Sequence, residues 1–262
     1  MNLTASRVPG PLLDVAVLGR RSLRHTFRSI DGLLTSIALP SIVLVAVSVV
    51  FGGAVSAGAV DGGYLTYVTP GILAMGVAFG AATTAVSVNV DVERGALDRI
   101  RSLPVLGPAA LAGHVVAAVA KNVLAAALLL LVAVALGLRP AAGVLDWLGL
   151  VALVSSCTIA LASLGTAFGL LVRGVEAAGS FSFVLLFAPY VSSAFVPVET
   201  LPTWLHGIAE HQPTTPVVET LRSLLAGQGA GDQAWTAAAW CLAGAVAGAV
   251  SAGALFRSRT SR

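Results

Sequence analysis

The sequence predicts an all-α membrane protein with six transmembrane helices, an amphipathic helix on the inner interface ahead of them, and both termini in the cytoplasm. Three observations carry this. Of 262 residues, 57% are hydrophobic and only 10% charged, where a soluble domain carries about 25% charged residues. The mean hydropathy is +0.92. The apolar residues fall in separate runs of about 20, the length a helix needs to cross a bilayer. The arginines are distributed very unevenly between the loops. A soluble enzyme, a disulfide-stapled secreted domain and a disordered tail are all excluded by this arithmetic.

The expected spans cover residues 33–51, 68–90, 119–138, 147–172, 179–196 and 233–256. Pro40 and Pro70 fall inside or at the start of spans, where neighbouring helices can satisfy the carbonyls a proline frees. With both termini inside, Arg7, Arg20, Arg21, Arg24, Arg28, Arg94, Arg99, Arg101, Lys121, Arg173, Arg257, Arg259 and Arg262 lie on the cytoplasmic side, and only Arg139 and Arg222 lie outside. The positive-inside rule selects that orientation. The domain reading follows: residues 1–32 are a cytoplasmic N-terminus, 33–256 a six-span domain, and 257–262 a cytoplasmic tail.

Residues 1–32 are not expected to be a secretory signal, because their basic segment is long and the following apolar run is long enough to span. Within residues 11–30, Leu12, Ala16, Gly19, Leu23, Phe27 and Ile30 recur at three- and four-residue steps beside a row of Arg20, Arg24 and Arg28. That pattern reads as an interfacial helix with its arginines toward anionic headgroups. A solvated lead-in that merely obeys topology is the plainer alternative.

Cys157 and Cys241 are the only cysteines, and both lie in apolar runs, so neither a disulfide framework nor a cysteine metal site is expected. Lys121 is the only lysine, followed by Asn122 and not preceded by glycines. The G-x-x-x-x-G-K-[ST] loop that cradles nucleotide phosphates is therefore missing. The pI near 9.3 reflects topology rather than nucleic-acid binding, since no basic cluster is interleaved with aromatics.

The most informative loop is DVERGALDRIRSLP, residues 91–104. Leu97, Ile100 and Leu103 share one helical side; Glu93, Arg94, Asp98 and Arg101 occupy the rest, and Pro104 ends the helix. Residues alone leave two readings: a docking element with an apolar stripe for a partner's groove, or a hairpin that only joins two spans.

The pattern E-R-G-x-L-x-x-x-R-x-x-P, carried by Glu93, Arg94, Gly95, Leu97, Arg101 and Pro104, resembles the first cytoplasmic loop of type-2 permease subunits of ABC exporters. The branch it is most similar to includes the daunorubicin-resistance permease. FVPVETLP at residues 195–202 and PTTPVVETLR at 213–222 are similar to that family's outer loop between the last two spans. The resemblance covers nearly the whole chain. It implies a homo- or heterodimer of permease chains docked on a separate ABC ATPase subunit that holds ATP and magnesium. It makes the helix at about 93–103 a coupling helix, with Leu97 and Ile100 packing on the ATPase and Glu93, Arg94 and Arg101 as its polar contacts. It implies export across a bacterial plasma membrane.

Lys121 is expected near the inner end of its span, where its stem can snorkel, and no Asp or Glu falls within a span core. That disfavours an ion-coupled carrier. Neither His114 nor Lys121-Asn122 has a counterpart in the resemblance. The pairs Gly76/Gly80, Gly165/Gly169 and Gly244/Gly248 permit close helix approach, with packing inside the chain the simplest use. Thr83, Thr84, Ser87, Asn89, Ser155, Ser156, Thr158, Ser163 and Ser192 are candidates to line a path, although such groups also bond their own helix. Residues 197–232 are expected to form two short helices dipping into the outer interface, with Trp204 at headgroup level. His206 and His211 are five apart, not the four of the zinc signatures H-E-x-x-H and H-x-x-E-H, and face about 140° apart on a helix, so no metal site is expected.

The function expected is the membrane subunit of an ATP-driven exporter for a hydrophobic or amphipathic cargo: a drug, lipid, polyketide or lipid-linked glycan. The alternatives are a secondary carrier or channel and a membrane subunit with no transport path. An intramembrane enzyme is disfavoured by the missing nucleophile and acid–base constellations.

Overall fold

The computed structural model of the chain describes residues 30–55, 63–95 and 107–260. All regular structure among them is helical. Helix α1 covers Ile30–Val55, α2 Tyr64–Glu93, α3 Gly107–Ala135, α4 Val144–Leu171 and α5 Val175–Phe187. A 3₁₀ turn at Ala188–Val191 follows, then another at Val198–Thr200, and then α6 Thr203–His211, α7 Thr214–Leu225 and α8 Ala234–Thr260. Among the described residues, four helical stretches are long and apolar enough to cross a membrane: Tyr64–Glu93, Leu111–Ala135, Val144–Leu171 and Ala234–Ser258. Shorter apolar stretches lie at Ile37–Val50 and Val175–Val191.

Two helices depart from the boundaries read in the sequence. Helix α3 starts at Gly107 rather than at 119. Pro108 suits a first helical turn, where its missing amide costs nothing, and His114 interrupts the apolar run without interrupting the helix. Helix α5 ends at Phe187, and the 3₁₀ turn carries the chain only to Val191 instead of spanning to 196. Pro189 removes a helical amide, and the Ser192 hydroxyl donates to the Pro189 carbonyl at 2.6 Å while accepting the Ala194 amide at 3.1 Å. The chain there turns back on the bundle and seats Ala194 on Gly71, where a Cβ would lie 2.5 Å from the Ala194 oxygen.

Helices α2 and α4 form the centre, with α8 laid along α4, α3 against both, and α1 and α5 on the flanks. Small residues set these distances. A Cβ on Gly169 would stand 2.4 Å from the Ala85 carbonyl oxygen, and one on Gly248 2.5 Å from the Leu164 amide. Gly76 faces Pro40, Gly165 faces Phe181 and Ala85, and Gly244 faces Ala160. All three G-x-x-x-G pairs are therefore used for packing within this chain. Outward faces stay apolar: Ile42, Val49, Phe183, Val184, Leu242 and Val250 are exposed, as expected where lipid replaces water.

The bundle has two distinct ends. One holds the end of α2, the start of α3, the α4–α5 turn and the last turns of α8, and gathers Arg94, Arg173 and Arg257. The other holds the starts of α2, α4 and α8 together with α6 and α7. There the Ala141 amide donates to the Leu225 carbonyl at 3.0 Å. Arg139, Arg222 and all 4 tryptophans belong to that half.

If the α2–α4 contact sets the bundle, Gly169→Val should cost about 1–3 kcal/mol. The expected outcome is a clear fall in the thermal midpoint of the detergent-purified protein, with Gly179→Ala, whose Cβ meets nothing within 4 Å, leaving it nearly unchanged.

Candidate functional site

The antiparallel seam between α2 and α3 concentrates the polar groups of the bundle interior. Asn122 Nδ2 donates to the Val77 carbonyl at 2.9 Å and to Thr158 Oγ1 of α4 at 3.1 Å. Gly80 is what admits that amide, since a Cβ there would fall 1.9 Å from Asn122 Oδ1. One residue away, Lys121 Nζ donates to the Gly80 carbonyl at 3.1 Å and to Thr83 Oγ1 at 2.6 Å. At the arginine-bearing end His114 Nε2 lies 3.2 Å from Asp91 Oδ2. Asn89 fastens α2 to the end of α4 by donating to the carbonyls of Gly169 at 3.1 Å and Val172 at 3.0 Å.

Lys121 does not snorkel. It lies 14 residues from each end of α3 (121 − 107 and 135 − 121), about 21 Å of helix either way, and is only 7% exposed. Its stem runs across to the middle of α2 because the Gly80 carbonyl and Thr83 hydroxyl offer partners that the bundle interior otherwise lacks. The sequence carried one signal of this: the chain's single lysine stands next to an asparagine in the middle of an apolar run.

The predicted path residues divide among three environments. Thr83 is half-buried and Ser87 exposed on the side of α2 turned away from α4, and the Ser87 hydroxyl donates to the Thr83 carbonyl at 3.0 Å. Thr84 and Asn89 are buried. Thr158 joins Asn122 while donating to its own Val154 carbonyl at 2.7 Å; Ser156 donates to Leu153, and Ser155 is half-buried nearby. Of the nine path candidates, Ser163 lines one of two large apolar grooves, Ser192 holds the turn after α5, and the other seven line neither groove. One, of 600 Å³, runs between α3, α4 and α8, with Ser163 and Thr166 as its hydroxyl-bearing residues. The other, of 390 Å³, lies between α2, α4, α5, α8 and the start of α7 and includes Cys157, Trp240 and Cys241. Alanine and glycine shape both grooves, and such residues carry no chemical mark in a sequence.

Of the coupling residues, Glu93 ends α2 and Arg94 caps it, both exposed. Leu97, Ile100 and Arg101 lie outside the described residues, as does the amphipathic segment 11–29.

At the opposite end Arg222 makes a clamp. Its guanidinium carbon lies 4.1 Å from the centre of the Tyr67 ring, and Nη2 donates to the carbonyls of Ser193 at 2.9 Å and Tyr67 at 3.3 Å. Nη1 pairs with Glu219 one turn back. The Tyr67 hydroxyl itself donates to Ser193 at 3.0 Å. Pro70 crowds the preceding turn of α2, and Arg222 reaches into that turn. One guanidinium thus joins α7, α2 and the turn after α5. His206 Nε2 and His211 Nδ1 each face a backbone carbonyl, of Leu201 at 2.8 Å and Gly207 at 2.9 Å.

A bundle of long apolar helices with an internal polar seam and small helices packed over one end defines the class of a helical membrane protein. The chain belongs to the ABC-2 type transporter family, which it matches over residues 14–226. It is similar to the daunorubicin resistance ABC transporter permease protein DrrB1 of Streptomyces coeruleorubidus, with 28% identity over 196 residues, 74% of this chain and 69% of that protein. It is also similar to the probable doxorubicin resistance ABC transporter permease protein DrrC of Mycobacterium tuberculosis, with 24% identity over 236 residues, 87% of this chain and 84% of that one. The protein is accordingly the membrane subunit of an ABC transporter.

Replacing Arg222 with Met should remove two hydrogen bonds from a charged donor, worth about 1.5–3 kcal/mol each. Amide hydrogen exchange across residues 194–201 is expected to rise roughly tenfold or more. Arg222→Lys should not restore protection, because a point charge cannot stack on Tyr67 and reach both carbonyls.

Proposed function

We propose that this chain is the permease subunit of an ATP-driven exporter that moves a hydrophobic or amphipathic cargo outward across a bacterial plasma membrane. It works as a homo- or heterodimer on a separate ATPase subunit that binds and hydrolyses ATP with magnesium. In this reading all six apolar helices, α1 to α5 and α8, span, and both termini are cytoplasmic. The arginine-bearing end of the bundle faces the cytoplasm, while α6, α7 and the tryptophans lie at the outer interface. The names of the drug-resistance relatives support a drug-like cargo and the outward direction.

The observation that carries the proposal is the bracing of the loop between α2 and α3. Those two helices are bonded at Asp91–His114, at Lys121–Gly80 and at Asn122–Val77, and α2 is tied to α4 through Asn89. A push on residues 96–106 would therefore displace α2, α3 and α4 together rather than slide one helix past another. Leu97 and Ile100 supply the apolar contact with the ATPase, and Glu93, Arg94 and Arg101 set its register. A stroke of this kind moves the permease only because ATP is bound with different affinity by the two arrangements of the complex.

The test compares the native chain with a Leu97→Asp, Ile100→Asp double variant, each expressed in membranes of its native cell together with that cell's ABC ATPase subunits. An ATPase should co-purify with the native chain and be lost, by tenfold or more, with the variant, while the variant's yield and thermal midpoint stay the same. Failure of any ATPase to associate with folded native protein overturns the exporter reading; equal association of both chains overturns the role given to the loop.

A further inference from the structure

Among the described residues, Lys121 is a cation without a counter-ion. Of its three N–H donors, two are used, by the Gly80 carbonyl and the Thr83 hydroxyl, and no described carboxylate pairs with it. Asp91, the next acid along α2, is 11 residues below Gly80 (91 − 80), about 16 Å of helix, and faces His114. The other acids of the described transmembrane helices, Asp31, Glu93, Asp146 and Glu176, all lie in end turns. A second copy of these helices thus has no mid-span carboxylate to offer either. An ionisable group held at mid-membrane is costly and marks a functional site by default.

The surroundings fit an occupant with a negative head and an apolar body. Lys121 sits directly behind Thr83, and Thr83, Val86, Ser87 and Val90 form a partly exposed strip along α2 on the side away from α4. None of the four side chains is longer than valine, so an acyl chain can lie close against the helix, with hydroxyls beside its head. The lysine stem is flexible enough to turn its ammonium from the Gly80 carbonyl toward that strip, and the Thr83 hydroxyl, now donating to Gly80 at 2.7 Å, can rotate its proton to the same guest.

We propose that Lys121 and Thr83 form a binding site for the anionic group, carboxylate or phosphate, of an amphiphile lying along α2. The depth argues for a molecule in transit: headgroups of resident lipid lie at the interfaces, about 15 Å from the centre of a hydrocarbon core about 30 Å thick. That assignment to cargo deepens the transport reading and rests on it; the binding itself does not.

The experiment uses the full chain in phosphatidylcholine nanodiscs without ATPase, so its outcome is independent of the association test above. A diazirine-bearing palmitic acid and the matching diazirine fatty alcohol are photolysed in parallel, and labelled peptides are mapped by mass spectrometry. The acid should label peptides covering residues 83–91 and 114–121 about tenfold more than the alcohol. Lys121→Met should bring the acid down to the alcohol's level, and Lys121→Arg should keep most of the difference. Thr83→Val, which leaves the cation in place, should reduce labelling by severalfold and serves if the Lys121 variant does not fold. Suppression by unlabelled palmitate but not by phosphatidylglycerol supports a carried amphiphile; suppression by phosphatidylglycerol supports the anion site and assigns it to a bilayer lipid. Equal labelling by acid and alcohol in the native chain, or an undiminished acid preference in folded Lys121→Met, overturns the proposal.

Discussion

Inside a hydrocarbon slab a polar atom has only the protein to bond to, and the architecture follows from how this chain meets that constraint. Helix α2 carries the burden. Its mid-section offers the Val77 and Gly80 carbonyls to α3, its arginine-bearing half sends Asn89 to the end of α4, and its first turns receive Arg222 from α7. Each bond needs a neighbour at short range, and small residues provide it. Gly80 leaves room for the Asn122 amide, Gly169 lets α4 approach Ala85, and Gly71 receives Ala194. Polar satisfaction and glycine placement are thus one arrangement seen from two sides. Substituting either member disturbs both, because the polar group cannot find water instead.

The same arrangement gives the bundle a mechanical character. Helices that only slide past each other on alanine and leucine cannot pass on a push applied at one end. Helices bonded at several depths can, and α2 and α3 are bonded from Asp91 to Val77. The opposite end is fastened differently. There the Arg222 guanidinium, stacked on Tyr67, and the Tyr67 hydroxyl both donate to the Ser193 carbonyl, and Gln212 donates to the Val191 carbonyl.

Lys121 shows how far burial can depart from what hydropathy implies. In a list of apolar runs it reads as the polar edge of a span, because a lone lysine with a long stem ordinarily reaches an interface. The backbone instead extends α3 by 12 residues (119 − 107) ahead of the expected start, which carries Lys121 to mid-helix. Once there, the Gly80 carbonyl and the Thr83 hydroxyl are nearer than any headgroup. The helix start decided the chemistry of the side chain.

Composition, run length and arginine placement by themselves determined a helical membrane protein, and the E-R-G-x-L-x-x-x-R-x-x-P loop determined its family, because those signals are local and survive without knowledge of contacts. The end of α5 was not legible, since Pro189 inside an apolar run is compatible with either a kinked span or a 3₁₀ stop, and the choice depended on Ala194 meeting Gly71. Nor was the grouping of the hydroxyls: Thr83 and Thr84 are adjacent in sequence yet face different neighbours, and Thr158 gained its role only from Asn122 on another helix. Single-chain periodicity says which face of a helix is polar, but pairing between faces depends on crossing angle and register. Only the tertiary structure decided those, because they are fixed by the close contacts of small residues far apart in the chain.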